Sequence, residues 1–234
     1  MPHLRWLTLS TLFAGLCGSL YAVDGVVLID QNRALAGNVT PGDTPGFPVT
    51  ISLPGSYRLT GNLTVPDANT NGIVITADHV TIDFNGFSIL GPVVCTGSPT
   101  VTSCSPLGTG NGVNSSANYI TVMNGGIHGM GSVAVSLSSA IGGQRVERML
   151  IDSNGNTGIN VVDGTVVNNI ANYNGFSGIN IIRSTVTGNT ALGNQVNGIS
   201  ATCPSAIIGN TAVNNGFNIF TSGAGCVVAN NAAP

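Results

Sequence analysis

The side chains that could move a proton or hold an anion lie close together in the sequence, between positions 128 and 152. His128, Arg145, Glu147, Arg148 and Asp152 are the candidates for catalysis in this chain. An arginine can neutralise a carboxylate on a substrate, and His128 or Glu147 could act as a general base. Arg145 and Glu147 are two residues apart, so they share one face if this segment is a strand. The alternative interpretation, which we prefer, is a solvated charged edge where a repeat is least regular.

Four other polar residues have structural interpretations. His79 aligns with Tyr119 in the repeat described below, so we expect it to fill a corner of the fold. Asp83 is interpreted as a turn residue. Asp163 and Arg183 are 20 residues apart, and we expect them to form an exposed pair that contributes about 0.2–1 kcal/mol.

The composition argues against several classes of partner. Only 6% of the 234 residues are charged, and there is no lysine. After residue 22, five arginines stand against nine acids, a formal net charge of −4. Such a surface argues against binding to nucleic acid or to anionic membranes. We expect no cofactor and no metal, because the cysteines and histidines lack the spacing of metal ligands.

Residues 1–22 have the layout of a secretory signal peptide. Arg5 lies near the start, residues 7–20 are apolar or small, and Ala22 offers a small residue at the cleavage site. The apolar segment is short for a membrane span, and no later segment approaches ~20 apolar residues. We therefore expect a protein that is secreted, periplasmic or at the cell surface, without a transmembrane segment.

Four cysteines follow the predicted cleavage site. An even number of cysteines in an exported chain indicates two disulfides. We favour the local pairs Cys95–Cys104 and Cys203–Cys226. The other two ways of pairing the four cysteines stay open at this point.

The second half of the chain repeats itself about every 20 residues, from about residue 145 to residue 234. Single-residue slips occur near Cys203 and Gly216. Three apolar columns and two asparagine columns follow the repeat: Val146, Val166, Val186, Ile207 and Val227; Ile151, Ala171, Ala191, Ala212 and Ala232; Ile159, Ile179, Ile199 and Ile219; Asn169, Asn189, Asn210 and Asn230; and Asn154, Asn174, Asn194 and Asn215.

An earlier pair of segments has twice this spacing. "GIVITADHVTIDFNGFSI" begins at Gly72, and "GVNSSANYITVMNGGIHG" begins 40 residues later at Gly112. The additional residues, 91–110, are rich in Gly, Pro, Ser and Thr and contain Cys95 and Cys104. We interpret them as a loop that is inserted between coils and closed by its own disulfide.

A period near 20 indicates one small unit stacked on its own copies. Paired apolar residues such as Ile179 and Ile181 have strand spacing, whereas leucine-rich and helical repeats need other residues or longer periods. The sequence therefore predicts an all-β parallel β-helix of about eight coils, ~4.8 Å apart. The asparagine columns are expected to stack as hydrogen-bonded ladders at the corners.

Three segments carry a resemblance to a known family. They are "ISLPGSYRLTGNLTVP" (51–66), "HVTIDFNGFSILGP" (79–92) and "YITVMNGGIHGMG" (119–131). Together with the Asn–Gly coils, they resemble bacterial right-handed parallel β-helix proteins of the pectin-lyase-like superfamily, which includes NosD-like modules. The resemblance covers about residues 50–234 and implies that fold. It does not imply one activity, because the superfamily contains lyases, hydrolases, epimerases, adhesins and noncatalytic members.

The resemblance also indicates which catalytic sets to look for. Pectate lyases use an acidic cluster for calcium together with a base, and polygalacturonases use several aspartates with a nearby histidine. Neither set is present, since the chain has no adjacent aspartates and no lysine. His128 in "GIHG" is only faintly similar to the histidine of the hydrolases.

The expected organisation has three parts. Residues 1–22 form the signal peptide, residues 23–49 an N-terminal cap with one strand at 26–29, and residues 50–234 the β-helix. No C-terminal cap is visible after "VVANNAAP", so end-to-end or surface association through the C-terminal coil is a further hypothesis.

Two functions from different classes are considered. The preferred function is that of an exported β-helix that binds polysaccharide or serves as a surface scaffold without catalysis. The alternative is a polysaccharide lyase or glycoside hydrolase that acts on an acidic polysaccharide. Tyr119, Tyr173 and Phe176 could stack on sugar rings if they point outward, and packing at corners is the other interpretation.

Overall fold

The chain winds into a parallel β-solenoid. A computed structural model describes residues 25–139 and 141–234. Almost every strand pairs in parallel with strands of the coils before and after it, and one sheet of eight such strands marks about eight coils. The predicted fold class is therefore confirmed. The predicted signal peptide lies outside the described residues.

The elements are short, and most strands have three or four residues. In chain order the first are β1 (Val26–Ile29), α1 (Gln31–Ala36), β2 (Val49–Ile51), β3 (Gly55–Leu59), β4 (Leu63–Thr64), β5 (Ile73–Ile75), β6 (Val80–Asp83), β7 (Ser88–Leu90), β8 (Val94–Thr96), β9 (Ser103–Ser105), β10 (Val113–Ser115), β11 (Thr121–His128) and β12 (Val135–Leu137). The others are β13 (Gln144–Asp152), β14 (Ile159–Val162), β15 (Gly164–Val167), β16 (Ile170–Asn172), β17 (Ile179–Ile182), β18 (Thr185–Thr187), β19 (Thr190–Leu192), β20 (Asn197–Thr202), β21 (Ala206–Ile208), β22 (Thr211–Val213), β23 (Phe217–Ser222) and β24 (Val227–Ala229).

Three faces run along the solenoid. Face A contains β1, β3, β6, the first parts of β11 and β13, and then β15, β18, β21 and β24. Face B contains β4, β7, the last parts of β11 and β13, and then β16, β19 and β22. Face C contains β2, β5, β10, β12, β14, β17, β20 and β23. The long strands β11 and β13 pass through the corner between faces A and B, and they join these two faces into one sheet.

Inward side chains of the three faces form one continuous core. Alternate residues of a strand point inward, and each stacks on its counterpart ~4.8 Å away in the next coil. β-branched residues suit these positions because they pack well on a pleated surface. Fully buried columns are Val146, Val166, Val186 and Ile207 on face A; Ile151, Ala171, Ala191 and Ala212 on face B; and Ile159, Ile179 and Ile199 on face C.

Two asparagine ladders occupy corners, as the repeat predicted. Asn194 illustrates the arrangement, since its Oδ1 accepts from both the backbone N–H and the Nδ2 of Asn174 at 3.0 Å. Its own Nδ2 donates to the carbonyl of Ala171 and to Oδ1 of Asn215, each at 2.9 Å. Every buried side-chain nitrogen and oxygen of the described residues has a partner. The ladders therefore satisfy polar groups that no water reaches.

The last coil differs from the predicted register by one residue. Ile207 pairs with Val228, so the prediction of Val227 in this column was wrong. The connection from face C to face A has two residues after β17, three after β20 and four after β23, and the last increase causes the shift. Two other predicted pairs in this coil were also wrong by one residue. Asn210 donates to Asn231 and not to Asn230, and Ala232 lies opposite Thr211 and not opposite Ala212.

The N-terminal segment contributes a strand and a helix. β1 lies where a strand was predicted and pairs with β3 at the start of face A. The six-residue helix α1 was not predicted. Asp30 caps it by accepting the N–H of Arg33 at 2.8 Å, a common role for Asp. The proposed boundary of a separate cap at residue 49 coincides with the start of β2.

The inserted segment 91–110 forms a strap along one side of the solenoid. It contains the antiparallel hairpin β8–β9, closed by the disulfide between Cys95 and Cys104, which we call the strap disulfide. The strap reaches distant coils: Val101 donates its N–H to the carbonyl of Gly193 at 2.9 Å, and Thr100 donates to the carbonyl of Asn214 at 2.6 Å. Residues 114 apart in the sequence are thereby connected.

Candidate functional site

Strand β13 carries a buried carboxylate between two arginines. Arg145 and Glu147 share the outward side of face A, as predicted, and Arg148 lies at the next corner with a φ of 51°. The carboxylate of Glu147 accepts from Nε of Arg145 at 2.8 Å and from Nη2 of Arg148 at 2.7 Å. Only 9% of the Glu147 side chain is exposed. The positive charges of the two arginines therefore balance the negative charge of this carboxylate, and solvent has little access to it.

His128 and Asp152 form a second polar pair on face B. They occupy paired positions in successive coils, at the ends of β11 and β13. Nδ1 of His128 lies 2.9 Å from Oδ1 of Asp152, and the side chains are 25% and 36% exposed. A carboxylate acceptor at Nδ1 selects the tautomer with the proton on Nδ1, which leaves Nε2 free to accept a proton.

A groove at the corner of faces A and B contains part of the predicted set. Its volume is about 380 Å³, and His128 and Arg148 line it together with Ser88. Glycines form much of its wall, while Leu150 and Ile170 add apolar surface. Arg145 instead lines a separate depression with Asp163 and Arg183. The structure thus brings His128, Arg148 and Asp152 to one side of the corner and leaves Arg145 on the other.

Asp163 and Arg183 form the exposed pair that their spacing predicted. Nε of Arg183 donates to Oδ1 of Asp163 at 2.8 Å, and Nη2 donates to Oδ2. These hydrogen bonds lower the pKa of the Asp163 carboxyl below its ordinary value of 3.8, and the nearby positive charge adds to the effect. The pair connects two coils and has no free acid or base.

His79 and Asp83, for which the sequence predicted structural roles, have structural partners. His79 and Tyr119 stack at the corner between faces C and A, with ring centroids 4.6 Å apart. Asp83 accepts from the backbone N–H of Asn85 at 2.9 Å and lies 3.5 Å from Nε of Arg58. His79 fills a corner and Asp83 holds a turn, as predicted.

Face C presents a straight outward column of small uncharged side chains. The column is Thr50, Val74, Asn114, Ser136, Asn160, Asn180 and Ser200, and it ends at Phe220. Asn180 donates its Nδ2 to Oδ1 of Asn160 at 2.8 Å, so some of these amides also form a ladder. This column offers a hydroxyl or amide group at each coil from Thr50 to Ser200 except at Val74, with neighbouring coils ~4.8 Å apart.

Exposed aromatic rings lie at the end of face C. Phe217 is 64% exposed and Phe220 is 46% exposed, with ring centroids 6.5 Å apart. The rings predicted from the sequence for stacking on sugars were Tyr119, Tyr173 and Phe176, and this pair was not among them. Tyr119 is 45% exposed and stacks on His79, and Phe176 is 48% exposed between β16 on face B and β17 on face C. The alternation in "FNIFTS" could have predicted this ring, because Ile219 lies in an inward column and its neighbour Phe220 must then point outward.

Ser88 and Gly126 are the groove residues that the sequence analysis did not identify. Ser88 pairs with Gly126 in the next coil, and His128 follows two residues later on the same outward side. Ser88 donates its backbone N–H to Oδ1 of Asn62 at 2.9 Å, while its hydroxyl forms no hydrogen bond with any described residue.

The two local cysteine pairs lie at disulfide distance, as predicted. The Cα atoms of Cys95 and Cys104 are 4.0 Å apart, and those of Cys203 and Cys226 are 5.0 Å apart. Disulfides are compatible with an extracellular protein. Among residues 25–139 and 141–234, no helix has the length and apolar character needed to cross a membrane.

Comparisons with models of protein families, with curated proteins and with solved structures found no match. The β-solenoid fits a surface module or a polysaccharide-related module.

Proposed function

We propose that this chain is an exported bacterial β-helix of the pectin-lyase-like type that binds polysaccharide along face C and does not cleave its glycosidic bonds. The observation that carries the proposal is the outward column of face C, which continues through the coils without a charged residue. A sugar chain that lies along the solenoid axis meets one small hydroxyl, amide or methyl group at each coil. Phe220 then provides a ring face at the end of the column.

The contacts of the charged side chains support a scaffold that does not cleave glycosidic bonds. Cleavage by a glycosidase needs a proton donor and a second carboxylate on opposite sides of that bond. Glu147 is enclosed by two arginines, and Asp163 is bonded to Arg183. These contacts hold both carboxylates away from a substrate, and the hydrogen bonds from Arg183 also lower the pKa of Asp163.

The alternative, a lyase or hydrolase acting on an acidic polysaccharide, draws on the groove instead. His128 could remove a proton and Arg148 could neutralise a uronate, since both line the groove. Arg148 already donates to Glu147 at 2.7 Å and to Asn124 at 2.7 Å, so a uronate would compete with both acceptors. We therefore favour recognition of neutral sugar hydroxyls.

The C-terminal coil supports the further hypothesis of association with a second copy. Val227 and Val228 are 55% and 51% exposed at this end of face A, and Phe217 is 64% exposed in β23, the last strand of face C. No charged residue follows Arg183, so two such ends can approach without repulsion between like charges. Replacing Val228 with Glu should lower the sedimentation coefficient of the protein at high concentration if the ends associate, and an unchanged coefficient would refute association there.

An array of neutral and acidic polysaccharides tests the binding proposal. We expect weak binding to neutral glycans that changes little between about 0.05 M and about 0.5 M NaCl and does not need calcium, because no charge pairing is involved. Phe220→Ala should weaken binding about 2–10-fold, the loss of one aromatic contact of about 0.5–1.5 kcal/mol. Phe176→Ala is the matched control, since it removes an equally exposed ring elsewhere. Equal effects of the two substitutions, or binding only to acidic glycans at low salt, would contradict the proposal.

A further inference from the structure

The groove places a serine hydroxyl near the free nitrogen of His128. A Cβ atom added to Gly126 would lie no more than 2.6 Å from either Oγ of Ser88 or Nε2 of His128. Two atoms this close to one point are within about 5 Å of each other. The Ser88 side chain has three staggered rotamers, and the proposal below requires one that brings Oγ within hydrogen-bond distance of Nε2. Only glycine at position 126 leaves the space between the two groups open.

The opposite side of the His128 ring is held by Asp152. The Nδ1 to Oδ1 distance of 2.9 Å orients the ring across the coils, with Asp152 in the following coil and Ser88 in the preceding one. Parallel stacking of the coils fixes all three backbone positions. A hydroxyl, an imidazole and a carboxylate therefore lie in sequence across three coils, with the imidazole in the middle.

We propose that Ser88, His128 and Asp152 form a nucleophilic site that hydrolyses a short acyl ester. Ser88 is the nucleophile, His128 the general base and then the general acid, and Asp152 the positioning residue. In structures without substrate, the hydrogen bond between nucleophile and base is often longer than it is during the reaction. The chemistry is acyl transfer, which leaves the glycosidic bonds of a bound polysaccharide intact.

The reaction proceeds in two balanced halves. Oγ of Ser88 bonds to the acyl carbonyl carbon while its proton moves to Nε2 of His128. The bond from that carbon to the alcohol oxygen then breaks, and the alcohol leaves with the proton from His128. Water attacks the acylated Ser88 in the same way, gives its proton to His128, and releases the carboxylic acid and the free serine. The sum is ester plus water giving alcohol plus acid.

The groove also indicates the size and charge of the ester. Arg148 lines it and could donate to the oxyanion that forms at the carbonyl oxygen, since its Nη1 makes no hydrogen bond with the described residues. Leu150 and Ile170 are each 43% exposed beside the groove and suit a short alkyl group. A volume of about 380 Å³ fits an acetyl or similarly short acyl group, together with part of one sugar ring. That the alcohol belongs to a carbohydrate rests on the proposed function, whereas the ester chemistry does not.

The experiment uses the disulfide-bonded protein with 4-nitrophenyl acetate and with an O-acetylated xylan. We expect release of 4-nitrophenolate and of acetate above the buffer rate, and covalent labelling of Ser88 by a fluorophosphonate probe, located by peptide mass mapping. Ser88→Ala should abolish both signals. Asp152→Asn should lower kcat about 10²–10⁴-fold with little change in KM, which a purely structural role would not do.

Matched variants keep the result interpretable if a substitution disturbs folding. Ser56→Ala removes an exposed serine on face A and should leave the rate unchanged. Gly126→Ala should abolish the rate because its methyl group separates Ser88 from His128, whereas Gly61→Ala, whose added Cβ has its nearest neighbour at 3.6 Å, should not. A folded protein, judged by its thermal transition, that shows no Ser88 adduct would overturn the proposal. Hydrolysis that survives Ser88→Ala would overturn it as well.

The two proposals can fail separately. Hydrolysis of 4-nitrophenyl acetate without binding on the glycan array would support the ester site and refute glycan recognition by face C. Binding on the array that Ser88→Ala leaves unchanged, without any hydrolysis, would do the reverse.

Discussion

Removing one buried asparagine should destabilise the solenoid far more than removing an outward one from a neighbouring position. Asn194 is completely buried and accepts two hydrogen bonds from Asn174, one from its backbone N–H and one from its Nδ2. Asn194→Ala removes the only acceptor that either group has among the described residues. Asn180, in the adjoining coil, is partly exposed, and its Nδ2 makes one hydrogen bond to Asn160.

The expected difference follows from these contacts. A buried donor that loses its partner costs about 1–3 kcal/mol, so Asn194→Ala should lower the free energy of unfolding by about 2–6 kcal/mol. Water can replace the partner of an exposed amide, so Asn180→Ala should cost at most about 1 kcal/mol. The loss of Nδ2 contacts to Ala171 and Asn215 adds to the first value.

Urea denaturation, followed by circular dichroism, measures both variants against the parent protein. Stacked repeats can unfold in parts, so hydrogen exchange of the amide of Asn174 provides a local measurement. We expect that amide to exchange faster in Asn194→Ala and at the parent rate in Asn180→Ala. Equal losses of stability in the two variants would refute the assignment of the ladder as the main polar support of the corners.

Three further outcomes are expected. Val186→Asp should lower the free energy of unfolding by about 3–5 kcal/mol in urea denaturation, because it buries an unpaired charge. The outward substitution Thr187→Asp should change it by no more than about 0.5 kcal/mol, and similar losses in the two variants would contradict the register of face A. Reduction of the strap disulfide should speed hydrogen exchange in residues 91–110 and leave the thermal transition of the coils in place, and loss of that transition would contradict a strap that lies outside the core. The pKa of Asp163 is lowered by hydrogen bonds from Arg183, so the pair's contribution to stability is present above pH 3.8 and is lost as the pH falls through the lower folded value. Asp163→Asn should therefore be less stable than the parent at neutral pH, and the difference should shrink as the pH falls below 3.8; a constant difference would refute the pairing.

The repeat was readable in the sequence because each coil imposes the same demands on the same positions. Columns such as Ile159, Ile179 and Ile199 must be apolar to fill the core, and ladder asparagines must be asparagine to satisfy two neighbours at once. These demands recur about every 20 residues and leave a visible period. The fold class and the inserted strap followed from it, whereas the two disulfides followed from the even number of cysteines in a chain predicted to be exported.

Corner lengths were not readable, because turns at the surface tolerate extra residues without disturbing the core. The connection before β24 has one residue more than the connection before β21, which moved the column from Val227 to Val228. Likewise, residues 84–87 form a longer corner than its counterpart in the next coil. A constant offset of 40 therefore placed Ser88 opposite His128, whereas the structure places it opposite Gly126.

The candidate site was predicted as a set of residues and not as an arrangement. Spacing along β13 correctly placed Arg145 and Glu147 on one side of the strand. The left-handed backbone of Arg148, which turns the chain from face A to face B, separates Arg145 from His128 and Asp152. The alternation of inward and outward residues in the sequence continues through such a corner, so it does not reveal where the chain turns.

The chain-length distribution of a bound polysaccharide tests the central claim most directly. The protein is incubated with each glycan that it binds on the array, and the product is analysed by size-exclusion chromatography together with absorbance at the wavelength of unsaturated uronates. We predict that the distribution stays unchanged, with no new reducing ends, even if acyl groups are removed. Shortened chains produced by the parent protein but not by His128→Ala or Arg148→Ala would contradict the account and assign cleavage of the glycosidic bond to the groove.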